Sequence, residues 1–189
     1  MLSINELQNG IIVKIQGDPY AVLSVKHLHM GRGGSSVQTK IKNIRTGQVL
    51  ERNFKPADEF EEAEIEKMPY VFLYSNRGEF WFNEKGSPKN RFNLKAEDLG
   101  QSVQFLKPNL EVQAVKYENK IINVELPIKV DYKVVEAPPA VRGNTAQGGT
   151  KNVVIEGGAK ISAPLFVNEG DIVRINTQTG EYTERVEKA

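Results

Sequence analysis

The sequence predicts an all-β protein of three consecutive small barrels, with a single large sandwich as the competing architecture. Three observations carry that expectation. Short runs alternate apolar and polar along most of the chain, turns containing glycine punctuate them, and only one stretch has helical spacing. Blocks of about 60 residues, each near the lower size limit for an independent core, place the domains at 1–64, 65–127 and 128–189.

In the first block Asn9-Gly10 opens a strand at Ile11–Ile15, and Gly17-Asp18-Pro19-Tyr20 is expected to turn the chain. Strands follow at Ala21–Leu28 and Val37–Ile44. The second puts Val37, Thr39 and Ile41 on one face and Gln38, Lys40 and Lys42 on the other. Arg45-Thr46-Gly47-Gln48 turns into a strand at Val49–Phe54. In the second block Tyr70–Tyr74 and Glu79–Phe82 flank the turn Ser75-Asn76-Arg77-Gly78. A short helix is expected within Ala96–Leu106, with Leu99, Val103 and Leu106 on one side. Strands Glu111–Tyr117 and Lys120–Leu126 meet at Glu118-Asn119. The third block, opened by Pro127, holds strands at Ile128–Val135, Lys151–Ile155, Lys160–Phe166 and Asp171–Asn176. A turn at Gln178-Thr179-Gly180-Glu181 precedes a last strand through Tyr182 and Val186, and a small-residue loop occupies Ala137–Thr150.

The chain has 189 residues, no cysteine and two histidines, His27 and His29. Disulfides, zinc thiolates and thiol nucleophiles are therefore excluded, and two histidines without a third ligand make no metal site. No run is apolar enough to cross a membrane and the N-terminus lacks a signal pattern, so a cytoplasmic protein is expected. The net charge of +1 conceals a division. From Ile11 to Lys55 there are eight basic residues against two acidic ones, whereas Pro56–Glu66 carries six acids and no base. The acidic run reads as a solvated linker. The basic stretch reads either as a solvated strand face or as an electrostatic footprint for nucleic acid.

Between the two basic strands lies His29-Met30-Gly31-Arg32-Gly33-Gly34-Ser35. An arginine at such a tip has no neighbours to pair with, and the glycines beside it allow close approach to another backbone. It suits the probing of a polyanion; an idle hairpin is the plainer alternative. The tip is no phosphate-cradling loop, because it lacks the lysine–serine ending and opens a strand. No Gly-x-Ser-x-Gly elbow or acid–base pair is present, so no catalytic residue and no enzyme is expected. Trp81, between Phe80 and Phe82, is either a base-stacking platform or core, and core is the commoner fate of such aromatics.

Several motifs occur in one order: Gly17-Asp18-Pro19-Tyr20-Ala21-Val22, then Thr39-Lys40-Ile41-Lys42-Asn43-Ile44-Arg45-Thr46-Gly47, then Gly78-Glu79-Phe80-Trp81-Phe82. Arg142-Gly143-Asn144-Thr145-Ala146-Gln147-Gly148-Gly149-Thr150-Lys151 follows, with Pro164–Asp171 and Thr179–Tyr182. From end to end the chain resembles bacterial elongation factor P. The resemblance implies an L-shaped monomer with an SH3-like (KOW) domain followed by two OB-type barrels. It implies binding to both subunits of the ribosome between the peptidyl and exit sites, and stimulation of peptide bond formation at stalled poly-proline sequences.

By the same resemblance Met30, Gly31, Arg32, Gly33 and Gly34 form the loop that reaches the peptidyl-tRNA in the peptidyl-transferase centre. His29, Lys40, Lys42 and Arg45 face RNA, and Gly143, Asn144 and Thr145 face the messenger RNA in the exit site. No metal or cofactor is implied; family members with arginine at the residue matching Arg32 can carry a covalent rhamnose on it, which makes Arg32 a candidate modification site. Met30 stands where proline is usual, Gly33-Gly34 replaces an asparagine-containing loop, and Asn144 replaces a common aspartate. Val153 and Ala163 exchange small apolar residues of the family pattern. The alternative function is that of a divergent paralogue or OB-type adaptor for another RNA or protein.

Overall fold

The computed structural model describes residues 1–30, 34–139 and 149–189. Among them sixteen strands form three sheets, the all-β architecture expected. The first sheet holds β1 (Leu2–Ser3), β2 (Ile12–Ile15), β3 (Asp18–Met30), β4 (Gly34–Asn43), β5 (Val49–Phe54) and β6 (Glu59–Glu62). Their order is β1-β6-β2-β3-β4-β5. Ile4, Leu7, Val13, Val22, Val37, Ile41, Phe54 and Phe60 make a single core inside it.

The structure departs from two local expectations. The turn between β2 and β3 is Gln16-Gly17, at φ +53° and +90°, and Pro19 lies within β3 opposite Lys14. A two-residue hairpin turn of this hand needs positive φ at both central positions, which proline's ring forbids. The acidic run is not all linker, because Glu59–Glu62 is strand β6. Phe60 is buried edge-on against Phe54, ring centroids 4.7 Å apart, and one anchored ring brings the flanking glutamates into the ladder. Glu61 then faces Lys14 across the pair, so its charge has a neighbour of opposite sign.

The middle sheet holds β7 (Glu66–Asn76), β8 (Glu79–Glu84), β9 (Ser87–Lys95), β10 (Glu111–Tyr117) and β11 (Lys120–Glu125), in the order β11-β10-β7-β8-β9. The C-terminal sheet holds β12 (Lys129–Glu136), β13 (Thr150–Ile155), β14 (Lys160–Pro164), β15 (Ile172–Asn176) and β16 (Glu181–Glu187), in the order β14-β13-β12-β15-β16. This is the middle sheet's order read from the other edge: the first strand is central, with strands two and three on one side. The edges β14 and β16 come together, closing a five-stranded barrel of the OB type. The expected helix is one α-helical turn, Ala96–Leu99, continued as 3-10 helix over Gly100–Phe105.

Contacts group the chain into two compact units. One comprises Met1–Met68, Leu94–Gly100 and Gln113–Val124. Within it Ala63, Val115, Tyr117 and Ile122 form a second core, packed against Ile12, Ile44 and Ile65. Lys14 Nζ donates to Glu118 at 2.7 Å, and Asn123 Nδ2 donates to the carbonyls of Ile44 and Arg45 at 2.9 and 3.2 Å. The other unit comprises Pro69–Asn93, Gln101–Val112 and Glu125–Ala189. Its buried Tyr132 hydroxyl donates to the Phe105 carbonyl at 2.6 Å, and Lys107 Nζ lies 5.1 Å from the Tyr132 ring centre. Burial holds the Tyr132 phenol well above its ordinary pKa, so it stays a donor at any physiological pH.

Candidate nucleic-acid interface

The β3–β4 hairpin is the longest paired element of the first sheet. Its ladder runs from Tyr20 opposite Asn43 to Met30 opposite Gly34, with a bulge between Val22 and Ser24. At ~3.4 Å per residue the arm is about 30 Å long. β5 accompanies β4 only between Lys42 and Val37. Beyond that row the pairs Leu28–Ser36, His29–Ser35 and Met30–Gly34 continue as a two-stranded ribbon. Gly31, Arg32 and Gly33 lie outside the described residues, and of His29, Met30 and Gly34 only the backbone pairing is described.

Alternation along β4 gives the arm two chemistries. Val37, Thr39 and Ile41 are buried, and the Thr39 hydroxyl donates to the Arg52 carbonyl at 3.0 Å, so burial leaves no polar atom wanting. Gln38, Lys40 and Lys42 take the outer face, as alternation predicts. Lys26 stands opposite Gln38, and Ser24 opposite Lys40. These residues, with Glu51 of β5, line a shallow groove. Glu51 is in register with Lys40, yet Lys26, Lys40 and Lys42 make no ion pair among the described residues. Exposed ammonium groups held in a row by a rigid ladder form a surface for a polyanion.

Arg45 is placed differently. Its Nε donates to Asp18 Oδ1 at 2.9 Å, and Asn43 Nδ2 reaches Asp18 Oδ2 at 3.3 Å. Asn43 Oδ1 accepts the backbone N–H groups of Arg45 and Thr46 at 2.8 and 3.0 Å. Arg45 thus closes the root of the arm, with Asn123 holding the same turn through its carbonyls. Sequence reasoning did not single out Asp18, Asn43 or Asn123. The signal for Asn43 was available, since an asparagine two residues before Arg-Thr-Gly invites a side-chain-closed turn. Nothing local announces Asn123, whose partners are 78 and 79 residues away in sequence.

The second candidate loop, Gly143, Asn144 and Thr145, lies outside the described residues. Among the described residues no group of three potential metal ligands converges, and no helix is long and apolar enough to cross a membrane. Phe82 is core, whereas Trp81 is partly buried on the other face of β8, where it stacks with Tyr74.

Comparison with known proteins shows the family. Residues 3–60 match the family described as Elongation factor P (EF-P) KOW-like domain, and residues 130–185 match Elongation factor P, C-terminal. The Elongation factor P of Moorella thermoacetica is 40% identical over 185 residues, covering 98% of this chain and 100% of that protein. That of a Synechococcus species is also 40% identical, and that of Symbiobacterium thermophilum 37%, both over 98% of this chain and 100% of the relative. A solved structure named Eukaryotic translation initiation factor 5A from Methanococcus jannaschii aligns over 67% of this chain and 90% of its own, with 14% identity and a TM-score of 0.48. An all-β chain with a basic arm and these full-length relatives is a translation elongation factor. It belongs to the elongation factor P family.

Proposed function

We propose that this protein acts as a cytoplasmic monomer that binds both ribosomal subunits between the peptidyl and exit sites. There it stimulates peptide bond formation at poly-proline stalls by positioning the peptidyl-tRNA. In this reading the domains are 1–64, 65–127 and 128–189. The observation that carries it is the arm itself: a braced ladder whose outer lysines lead toward a ribbon ending at Met30 and Gly34, with Arg32 between them in sequence.

Lys40 and Lys42 would follow the phosphates of the acceptor end by charge, while Arg32 engages its terminus. Proline is a slow nucleophile, and a poly-proline chain can hold the acceptor end in an unproductive pose. A cation bonded to the tRNA backbone favours the aligned pose and shortens the wait for reaction. The ribosome supplies the catalytic centre, so the factor itself turns over no substrate and needs no metal. Gly143, Asn144 and Thr145 would meet the exit-site codon. Arg32 is also a candidate site for a covalent rhamnose, which intact mass of the native protein would reveal as one added deoxyhexose.

Arg32→Ala should abolish rescue of a poly-proline reporter in a reconstituted translation system while leaving the thermal unfolding midpoint unchanged. Reporter synthesis by that variant at the wild-type rate would refute the assignment. Unchanged ribosome occupancy at proline runs in cells lacking the gene would favour an adaptor acting on another RNA or protein.

A further inference from the structure

The outer face of the middle sheet carries an aromatic pair that the arm does not use. β7 and β8 pair with Phe72 opposite Phe82, and then with Tyr74 opposite Trp81, the register shifting between Phe72 and Tyr74. In an unbroken strand Tyr74 would share the face of Phe72, two residues before it. The bulge at Leu73 reverses that. Phe72 stays buried against Phe82, centroids 5.4 Å apart, whereas Tyr74 turns outward and is 47% exposed. Its ring lies 6.4 Å from that of Trp81 at an interplanar angle of 23°, an offset parallel stack. Bulges commonly re-aim a side chain at a functional surface. Here the chain forgoes one ladder position to bring an aromatic ring out of the core.

Two arginines belong to the adjoining turn and strand. Arg77 sits at the tip of the β7–β8 turn with φ +51°. Arg91 lies on β9, the strand beside β8, where Phe92 packs inward on Phe82 and Tyr70 and so leaves Arg91 and Asn93 to the outer side. Arg91 Nε donates to the Pro88 carbonyl at 2.9 Å, which fixes the guanidinium near the strand. Neither arginine makes an ion pair among the described residues. Glu79, in the turn pair with Asn76, is a carboxylate whose alternation along β8 puts it on the face of Trp81.

We propose that this face, formed by Tyr74, Trp81, Arg77 and Arg91, binds a short unpaired RNA segment. One nucleobase would stack on the open side of Tyr74, and the flanking phosphates would meet the two guanidinium groups. Parallel aromatic rings extend naturally by one more flat ring, since stacking is indifferent to base identity. Arginine's planar fork matches phosphate oxygens two at a time. The middle sheet has the strand order of the C-terminal barrel, and in OB-type folds the face of the second and third strands, here β8 with Trp81 and β9 with Arg91, is a common oligonucleotide platform. The face belongs to another sheet than the arm, and its ligand chemistry differs: the groove on the arm is lined by lysines and no aromatic ring.

Trp81 is the only tryptophan of the chain, so its emission reports on this face alone. The full-length protein is titrated with a nine-nucleotide single-stranded RNA and, separately, with an RNA duplex of equal length. The single strand should quench Trp81 emission saturably and the duplex should not. In anisotropy measurements with labelled single strand, Tyr74→Ala should weaken binding about tenfold, as loss of one stacked base contact implies. Tyr74→Phe, which keeps the ring, should restore most of it. Arg77→Gln with Arg91→Gln should weaken binding and flatten its salt dependence. Arg32→Ala should leave quenching unchanged. Equal quenching by duplex, insensitivity to Tyr74→Ala, or loss of quenching in Arg32→Ala would each overturn the proposal. Quenching absent with RNA but a shift of Trp81 emission on adding RNA-free ribosomal proteins would assign the face to a protein and overturn it too.

Discussion

In the middle sheet the first strand, β7, lies between β10 and β8; in the C-terminal sheet the first strand, β12, lies between β13 and β15. The two sheets therefore share one strand order, yet they are filled and surfaced differently. The middle core is rich in aromatic rings, with Tyr70, Phe92, Phe82 and Phe72 joined in a chain of ring contacts. The C-terminal core is mainly aliphatic, with Val134, Val153, Ile155, Ala163, Val173 and Ile175 fully buried around Tyr132. On the surface of the C-terminal sheet Asp131, Arg174 and Glu184 stand opposite one another in register across β12, β15 and β16. Arg174 donates to both carboxylate oxygens of Asp131, at 2.7 and 3.0 Å, and to Glu184 at 2.7 Å. Charges so arranged satisfy each other and offer a partner little. The middle sheet's cross-strand pair, Tyr74 and Trp81, leaves a ring open. One topology thus supports a closed surface in one place and an open one in another, and side-chain pairing decides which.

The largest expected effect tests the cores. Phe82 is fully buried and touches rings on both neighbouring strands, so no aliphatic group can collapse into the space it would leave. Phe82→Ala should lower stability by about 3–5 kcal/mol. Tyr132→Phe keeps the volume but strips the donor from the buried Phe105 carbonyl, and should cost about 1–3 kcal/mol. Urea unfolding of both variants against wild type measures the pair. If Tyr132→Phe proved as damaging as Phe82→Ala, the distinction between a ring-packed and a hydrogen-bonded core would fail.

Why the sequence revealed the fold and only part of the site is visible in particular strands. Val49–Phe54 and Glu111–Tyr117 were legible to the residue, because apolar side chains alternate cleanly between turn signals. β9 escaped, since five exposed positions, four polar residues and a proline, precede Phe92 and Leu94, the residues that anchor it. β6 looked like linker because its one buried ring is hidden among glutamates. At the arm, the division of Lys40 and Lys42 from Val37 and Ile41 followed from period-two alternation alone. The pairing of Arg45 with Asp18 did not, because it depends on a register between strands rather than on either strand's pattern. Tyr74 was concealed for a similar reason: a bulge changes the face of every residue beyond it, and no local residue type announces one here.

A smaller effect separates the two surfaces by pH. In the C-terminal barrel the hydrogen bond from Arg174 holds Asp131 below the usual carboxylate range. Burial opposes ionisation of Asp171, but the Asn168 and Ala189 N–H groups and Arg185 outweigh it, and the carboxyl titrates lower than an ordinary aspartate. A carboxylate whose pKa is depressed by folding stabilises the native state above its unfolded pKa of about 3.9. That contribution is lost as pH falls from there through the folded value. Urea midpoints measured from pH 6 to pH 2.5 should therefore drop at the acid end, and Asp171→Asn should make the drop shallower. Tyr74→Ala should leave its shape unchanged, since the stacked pair contains no carboxylate.

The smallest effect concerns the ion ladder itself. Lysine in place of Arg174 keeps the positive charge but has one rotatable ammonium, which cannot span both oxygens of Asp131 and reach Glu184 as well. The three side chains are 34%, 40% and 53% exposed, so water recovers much of what the geometry would give up. Arg174→Lys should therefore cost no more than about 1 kcal/mol, and a double-mutant cycle with Asp131→Asn should return a coupling of similar size. Because Arg174 already has its partners within the sheet, the same variant should leave binding of single-stranded RNA unaltered. A gain in RNA affinity on freeing Asp131 from its bidentate partner is not expected, as an unpaired carboxylate repels phosphate. A loss would mean that the ladder's guanidinium also serves a ligand, and the C-terminal surface would no longer be the closed member of the comparison.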